Sequence, residues 1–143
     1  MSNGKPKVAY FKGLTKKDYI AKTIEIIDNE GVEAVSIRRI AKEMECSSAS
    51  LYRHFENLSE LIYYAELHTL KGYINRLNEA EKGWKNIWDY YVGIWDCYSK
   101  EAFRHQHEYD TLFLVNDNSK LNVSIKEYYE MFPEEKDKTN DFF

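Results

Sequence analysis

The chain has 143 residues, of which 43% are hydrophobic and 15% aromatic, so it can bury a core as one domain or as two small ones. No apolar run approaches the roughly 20 residues that a membrane-spanning helix needs, and no apolar signal segment follows the Lys-rich N-terminus, so we expect no membrane association. The two cysteines, Cys46 and Cys97, do not suggest a disulfide framework, which favours a cytoplasmic protein.

Charge is divided unevenly along the chain, although the net value of −4 would by itself disfavour binding to nucleic acid. Residues 1–55 contain ten Lys and Arg against seven Asp and Glu, whereas residues 56–143 contain ten against seventeen. A basic N-terminal part followed by an acidic remainder is expected of a DNA-binding domain joined to a regulatory domain. A solvated basic tail without a partner is the alternative.

The first predicted helix has recognisable signals at both ends. Thr15 is followed three residues later by Asp18, as in a capping box, in which two side chains each accept a bond from the other residue's backbone N–H. Gly31 supplies the glycine that commonly ends a helix. Between them, one apolar stripe has the spacing i, i+4, i+7: Ile20, Ile24 and Ile27.

Two short helices joined by a tight turn are predicted next. Ser36 and Ser47 can each cap a helix, because a Ser hydroxyl accepts a bond from an orphan backbone N–H. The first helix carries an apolar face of Ile37, Ile40, Ala41 and Met44. The second directs Leu51 and Phe55 into the same core and turns small or polar side chains outward: Ser48, Ala49, Ser50, Arg53 and His54. Such a surface suits a DNA major groove, where a methyl contacts thymine and Arg bonds guanine.

The remaining residues also predict helices, with no strand-like alternation. A helix capped by Asn57 is expected to continue past Gly72 to Leu77. The clearest apolar stripe follows, at positions 0, 3, 4, 7, 11 and 14: Trp84, Ile87, Trp88, Tyr91, Trp95 and Tyr98. Aromatic residues at this spacing usually form core. Shorter helices are indicated by Tyr109, Leu112 and Phe113, and by Ile125, Tyr128, Tyr129 and Phe132 before Pro133.

The segment from Lys16 to Ala65 resembles the DNA-binding domain of the TetR family of bacterial transcriptional regulators. The resemblance rests on the run Gly-Val-Glu-Ala-Val-Ser, the Ile-Ala core pair, and the ending Leu-Tyr-Arg-His-Phe followed by Asn-Leu-Ser-Glu-Leu. It implies an all-α protein with a three-helix head in residues 1–57 and a helical ligand-binding and dimerisation domain in residues 58–143. Family members usually continue into two further helices, so the resemblance also implies that the second domain is incomplete here.

The resemblance assigns DNA contacts position by position. Arg38 would reach a base or a phosphate, Tyr52 and His54 would bond phosphates, and Lys16 and Lys17 would contact the backbone. The complete set is Lys16, Lys17, Ser36, Arg38, Ser47, Ser48, Ala49, Ser50, Tyr52, Arg53 and His54. The implied function is a ligand-responsive repressor that binds a near-palindromic operator in double-stranded DNA as a homodimer.

An inducing small molecule is expected among the helices of the second domain. Seventeen of the 22 aromatic residues lie in residues 56–143, and aromatic walls suit flat or apolar ligands. The predicted lining residues are Tyr91, Trp95, Tyr98 and Tyr129. The alternative for each of these residues is an ordinary position in the hydrophobic core.

Two places in the chain depart from the family pattern. Leu58 stands where family members often have a phosphate-binding Lys, and Glu56 adds a negative charge nearby. Glu45 stands at a turn position where Gly is common, because the left-handed backbone expected there costs a residue with a Cβ on the order of 1 kcal/mol.

Alternatives to a repressor remain. A TetR-like coactivator or protein-interaction module would act by contacting another protein, and the departures at Glu56 and Leu58 favour it. A helical enzyme has little support, since no phosphate loop or nucleophile motif is present and no catalytic residue or cofactor is predicted. His105 and His107, two residues apart, would diverge on a helix, so no metal site is expected.

Overall fold

The computed structural model describes residues 13–115 and 118–136. Every regular element within these ranges is helical, and this confirms the predicted all-α class. In the same ranges, no helix is both long enough and apolar enough to cross a bilayer. Two compact units meet in the sequence between Ala65 and Glu66.

The first unit contains the predicted head and one helix more. Its helices are α1 (Lys16–Glu30), a 3-10 turn (Val32–Ala34), α2 (Ile37–Glu43), α3 (Ser48–Tyr52) and α4 (Leu58–Glu66). The unit ends eight residues after the boundary predicted at residues 57 and 58. The physical reason is that α4 contributes to the interior of this unit: Tyr64 is buried and its ring centroid lies 6.2 Å from that of Phe55.

Both signals predicted for the ends of α1 are present. The capping box forms, with the Thr15 N–H donating to the Asp18 carboxylate at 2.6 Å. Gly31 follows the helix with φ of 89°, a backbone conformation that L-residues with a Cβ rarely adopt, and its N–H donates to the Ile27 carbonyl at 2.9 Å.

The buried face of α1 differs from the predicted stripe. Ile20 is buried as expected, but Ile24 and Ile27 are only half-buried. Neighbouring positions are buried instead, because the inward-packing face of α1 includes Tyr19 and Thr23. The buried residues of the helix are Tyr19, Ile20, Thr23 and Ile26. The Thr23 hydroxyl donates to the Tyr19 carbonyl at 2.8 Å, so this polar group is satisfied inside the head.

The second unit begins with a 3-10 turn (Leu67–Thr69) and α5 (Leu70–Glu81). Helix α6 (Ile87–Arg104), the short α7 (Gln106–Asp110), a π-helical turn (Thr111–Val115), α8 (Asn118–Met131) and a 3-10 turn (Pro133–Glu135) follow. The helix predicted to run unbroken to Leu77 is thus interrupted at Leu67–Thr69, where the Thr69 hydroxyl donates to the Glu66 carbonyl at 2.7 Å.

Helix α6 presents part of its aromatic stripe outward, so the core interpretation is wrong for Trp88, Tyr91 and Trp95, whereas Tyr98 is half-buried. Trp88, Tyr91 and Trp95 are 74%, 58% and 65% exposed. The buried residues of α6 are instead Cys97 and Glu101, on the side that packs against α5. Helical spacing identified an amphipathic helix, but it could not identify which of its two faces the neighbouring helices cover.

A charged pair lies where α5 and α6 pack together. Glu101, 2% exposed, forms an ion pair with the Arg76 guanidinium. A Cβ built on Gly72 would lie 2.6 Å from the Glu101 carboxylate, so α5 has a glycine where this side chain approaches its backbone. Gly72 therefore has a packing role in a helix that it would otherwise weaken.

Candidate nucleic-acid interface

Serine caps set the start of both motif helices, as predicted. The Ser36 hydroxyl accepts from the Arg39 N–H at 3.1 Å, and the Ser47 hydroxyl accepts from the Ser50 N–H at 3.3 Å. Each bond satisfies one of the first backbone N–H groups, which have no partner inside their own helix. Ser36 and Ser47, predicted to contact DNA, therefore already use a hydroxyl oxygen within the protein.

Glu45, in the turn between α2 and α3, adopts the left-handed backbone conformation although it is not a glycine. This is the one non-glycine residue with positive φ in the described ranges, at 53°. The following N–H, of Cys46, donates to the Ala41 carbonyl at 2.9 Å and closes the turn. Burial, together with neighbouring Cys46, raises the pKa of the Tyr19 phenol to about 12, so Tyr19 stays neutral where α1 meets this turn.

Helix α3 presents a surface of small side chains. Leu51 is fully buried and Phe55, just after the helix, is 1% exposed, so these two residues fix which side of α3 faces the core. Ser48 and Ala49 lie exposed on the other side, and Ser50 is half-buried. Tyr52 is 55% exposed, and Arg53 and His54 are exposed as well. The structure thus places the predicted reading residues of α3 and its end on one accessible segment.

The two arginines that begin α2 have different surroundings. Arg38 is exposed. Arg39 forms ion pairs with Glu30 and Glu43 and donates to the Ala34 carbonyl at 3.4 Å, so it joins the end of α1 to α2. Arg38 accordingly stays a predicted DNA contact, and Arg39 is held by its carboxylate partners.

Two predicted phosphate-binding side chains contact aromatic rings of the head. The Lys16 ammonium lies 4.1 Å from the centroid of the Tyr64 ring and 5.5 Å from that of Phe55. The His54 ring lies 5.4 Å from the Tyr19 ring. A cation over a ring face is attracted by the ring quadrupole, so Lys16 contributes to the packing between α1 and α4. Lys17, the next residue, is half-buried.

Carboxylates occupy the start of α4, where a phosphate would otherwise find free backbone N–H groups. The Asn57 side chain accepts from the Glu60 N–H at 2.9 Å, and the Glu60 carboxylate accepts from the Glu56 N–H at 2.5 Å. Glu56 is itself exposed. Negative charge near a helix start favours the helix dipole but opposes an approaching phosphate.

The four predicted ligand-lining residues lie in different surroundings. Tyr91 and Trp95 are on the exposed face of α6. Tyr98 is half-buried, with its ring 5.6 Å from that of Tyr109. The half-buried Tyr129 packs against Tyr128, and its buried hydroxyl has no hydrogen-bond partner. Their role in ligand binding stays a prediction.

A groove beside α5 and α6 has a different lining. It has a volume of about 550 Å³ and is lined by Asn75, Arg76, Glu79, Ala80, Asp96, Cys97 and Lys100. None of the four predicted aromatic residues belongs to it.

Sequence reasoning missed a buried carboxylate in the second unit. Glu66 is 2% exposed, and neither of its carboxylate oxygens has a hydrogen-bond partner. Burial, with a smaller contribution from the charge of Glu108, raises the pKa of Glu66 to about 8. Glu66 therefore carries a proton at neutral pH. No local pattern signals this, because a Glu near the end of a helix is ordinarily solvated.

The two histidines considered as metal ligands face different carboxylates. His105 Nε2 lies 3.8 Å from Glu101, and His107 Nε2 lies 3.6 Å from Glu66. In the part of the chain that the structure describes, no three His, Cys, Asp or Glu side chains are grouped closely enough to hold a metal ion.

Comparison with known proteins finds a family match within the head. Residues 20–64 match the family described as bacterial regulatory proteins, tetR family. The chain is 39% identical over 57 residues to HTH-type transcriptional regulators of Staphylococcus aureus strains USA300 and NCTC 8325, and 37% identical to one of strain RF122. Each match covers 40% of this chain and 31% of the relative, so the matched segment spans about a third of these proteins. No solved structure matches.

Proposed function

We propose that this chain, whose N-terminal helix-turn-helix domain belongs to the tetR family of bacterial regulatory proteins, is a sequence-specific DNA-binding transcriptional regulator that acts as a ligand-responsive repressor. One observation carries the proposal: α3 buries Leu51 and exposes Ser48 and Ala49, with the exposed Arg53 directly after it. Small side chains let a helix approach base edges closely, and an arginine beside them can bond a guanine through two hydrogen bonds.

Base reading and backbone contact fall to different side chains in this proposal. Ser48, Ala49, Ser50 and Arg53 face the base edges in the major groove. The phosphate contacts come from the exposed Arg38, Tyr52 and His54, with Lys16, Lys17 and the caps Ser36 and Ser47 at the margins. Phosphate contacts fix the position of the head on the duplex, and base contacts supply the sequence preference.

Two heads are needed to read a near-palindromic operator. In a dimeric regulator of this kind, the second motif helices enter successive major grooves about 34–36 Å apart. An effector held in the second unit, with contacts from Tyr91, Trp95, Tyr98 or Tyr129, would bind one arrangement of the two heads better than the other. An effector that binds better to the arrangement that does not fit the operator lowers the affinity for the operator. Bound operator lowers the affinity for the effector by the same factor, because coupling between two sites is reciprocal.

Selection of duplex DNA from a random pool, followed by binding measurements at fixed salt, tests the reading surface. Arg53→Ala is expected to weaken binding to the selected DNA by about fivefold to 150-fold and to relax the preference at one base pair, because a bidentate guanine contact contributes about 1–3 kcal/mol. Lys126→Ala, which removes one exposed positive charge from α8, is the control and should leave affinity unchanged. Equal affinity and preference for Arg53→Ala would reject this reading surface.

The acidic start of α4 favours a second candidate, a protein-interaction module built on the same head. Glu56 and Glu60 lie beside Leu58, the position where family members often have a phosphate-binding Lys. A salt titration separates the two functions. Phosphate contacts release counterions, so DNA affinity falls steeply and linearly on a logarithmic scale as salt rises, whereas an apolar protein contact lacks that dependence. Failure to enrich any DNA sequence would favour the protein-interaction module.

A further inference from the structure

The carboxyl of Glu66 is a buried polar group without a hydrogen-bond partner in the part of the chain that the structure describes. Glu66 is the last residue of α4 and is 2% exposed, and both of its carboxyl oxygens are buried. A buried group that lacks its hydrogen bond costs about 1–3 kcal/mol, and more if it is charged, so folded proteins keep few of them. Such a group is expected chiefly at a functional site, where another molecule supplies the partner.

Glu101 shows how a second buried carboxylate of the same unit is compensated. It is also 2% exposed, but it forms an ion pair with the Arg76 guanidinium, and His105 Nε2 lies 3.8 Å away. Among the described residues, no Arg or Lys side chain does the same for Glu66. The chain therefore supplies a cation to one of its two buried carboxyls and not to the other.

Glu66 lies beneath a side chain that solvent can reach. His107 Nε2 on α7 lies 3.6 Å from Glu66 Oε1, beyond hydrogen-bond distance, and the His107 side chain is 65% exposed. His68, two residues after Glu66, is held elsewhere, because its Nδ1 bonds the Glu135 carboxylate at 2.8 Å. A rotamer change of His107, which exposed side chains make within nanoseconds, uncovers this side of the carboxyl.

The charges near Glu66 favour a cation as its partner. The carboxylate of Glu108, on α7, acts on Glu66 with a charge of the same sign, and residues 56–143 contain seventeen Asp and Glu against ten Lys and Arg. A negative field of this kind attracts cations and repels carboxylates and phosphates. A metal ion needs more ligands than the described residues group at any one place. A primary ammonium suits two carboxylate oxygens, since it carries three N–H donors on one charge.

We propose that Glu66, His107 and Glu108 form a binding site for an organic cation with a primary ammonium group, which enters past His107 and donates to the ionised Glu66 carboxylate. At neutral pH the carboxyl holds a proton before binding. Binding therefore releases that proton to the solvent, while the ammonium keeps its own charge. The site shares no residue with the four aromatic positions predicted to line an effector site. In the regulator proposed above this amine is the effector, and that last assignment rests on the proposed function.

Calorimetric titration of the full chain with 2-phenylethylammonium, without DNA, tests the site, with 2-phenylethanol as the neutral counterpart. Alkylammonium groups have a pKa of about 10, so the probe stays charged up to pH 8. Burial raises the pKa of Glu66 to about 8, so the affinity for the amine should rise about tenfold from pH 6 to pH 7 and level off above about pH 8. At pH 7, buffers of different ionisation enthalpy should reveal the release of about one proton. An affinity that does not change between pH 6 and 7, or equal affinity for the alcohol, would overturn the proposal.

Glu66→Gln keeps the shape of the side chain and removes its charge. We expect this variant to weaken binding of the amine at pH 8 by about tenfold or more and to abolish the pH dependence. Glu130→Gln, at an exposed position on α8, is the matched control and should keep both the affinity and its slope. Circular dichroism checks that each variant is folded. No binding of the amine at millimolar concentration, or a Glu66→Gln variant that binds it as the parent chain does, would reject the site.

DNA takes part in neither measurement, so failure of the proposed function would leave the result for the site unchanged. The role of the amine as effector is measured separately, by adding it to the complex with the selected DNA. A lower affinity for DNA, lost in Glu66→Gln, would support that role, and an unchanged affinity would overturn it.

Discussion

The two units of the chain differ in what their buried helix faces contain. Between residues 13 and 65, the buried side chains are apolar or aromatic apart from Thr23, whose hydroxyl is bonded to its own helix. From residue 66 to 136, the buried set includes the polar or charged side chains of Glu66, Asn78 and Glu101. Helix α6 of this second unit carries its tryptophans on the exposed side.

This contrast separates a unit that buries most of its large apolar side chains from one that keeps several of them exposed on α6. Burying apolar area lowers the free energy of the folded state in proportion to that area, so each buried apolar helix face stabilises the first unit. In the second unit, the exposed tryptophans of α6 contribute little to the free energy of apolar burial. The desolvated carboxyl of Glu66 opposes folding.

The largest expected difference comes from the same substitution made once in each unit. Phe55→Ala, at a 1% exposed position in contact with Tyr19 and Tyr64, should lower the free energy of unfolding of the head by about 3–5 kcal/mol. Phe103→Ala, at a 77% exposed position, should change the stability of the second unit by less than about 1 kcal/mol. Urea denaturation measures both. Equal losses would remove the contrast between the two units.

An effect of similar size, about 1.4 kcal/mol for each pH unit between the unfolded and folded pKa values of Glu66, is expected from pH. Because the pKa of Glu66 rises from 4.5 in the unfolded chain to about 8 in the fold, the folded state keeps a proton that the unfolded state releases. The contribution of Glu66 to the free energy of unfolding is thus fully present below about pH 4.5. It falls by about 1.4 kcal/mol per pH unit as pH rises and levels off above about pH 8. Glu66→Gln should flatten this slope and make the protein more stable at pH 8.

The control for this prediction is a Glu in a solvated position. Glu130→Gln, at an exposed site on α8, removes the same ionisable group and should leave the pH dependence of the unfolding midpoint as in the parent chain. A Glu66→Gln variant with an unchanged slope between pH 5 and 8 would show that Glu66 is ionised and solvated in the folded protein.

The smallest expected effect concerns strain in the helix-turn-helix turn. Glu45→Gly should stabilise the head by up to about 1 kcal/mol, because glycine adopts the φ of 53° without a Cβ clash, while its greater freedom in the unfolded chain offsets part of the gain. Glu45→Ala removes the same carboxylate but keeps the Cβ, so it should give no gain. Thermal unfolding compares the two, and equal melting temperatures would show that the turn is unstrained.

Much of the head and of its candidate surface follows from local sequence. The cap bonds of Ser36, Ser47 and Gly31 reach residues at most four positions away, so the helix boundaries can be predicted from the sequence alone. The exposure of Ser48, Ala49 and Arg53 follows from the burial of Leu51 and Phe55 at i and i+4. The ion pairs that hold Arg39 and the rings under the Lys16 ammonium could not be predicted in this way, since they join residues from different helices.

The amino-acid sequence by itself determined that the chain is all-α, where most of its helices begin and end, and that α6 is amphipathic. Only the tertiary structure decided that α1 buries Tyr19 and Thr23 rather than Ile24 and Ile27, that Glu66 and Glu101 are buried, and that the tryptophans of α6 face outward. Caps and turns are satisfied by atoms a few residues away. Burial depends on which other helices pack against a face, and that contact is set by the whole chain.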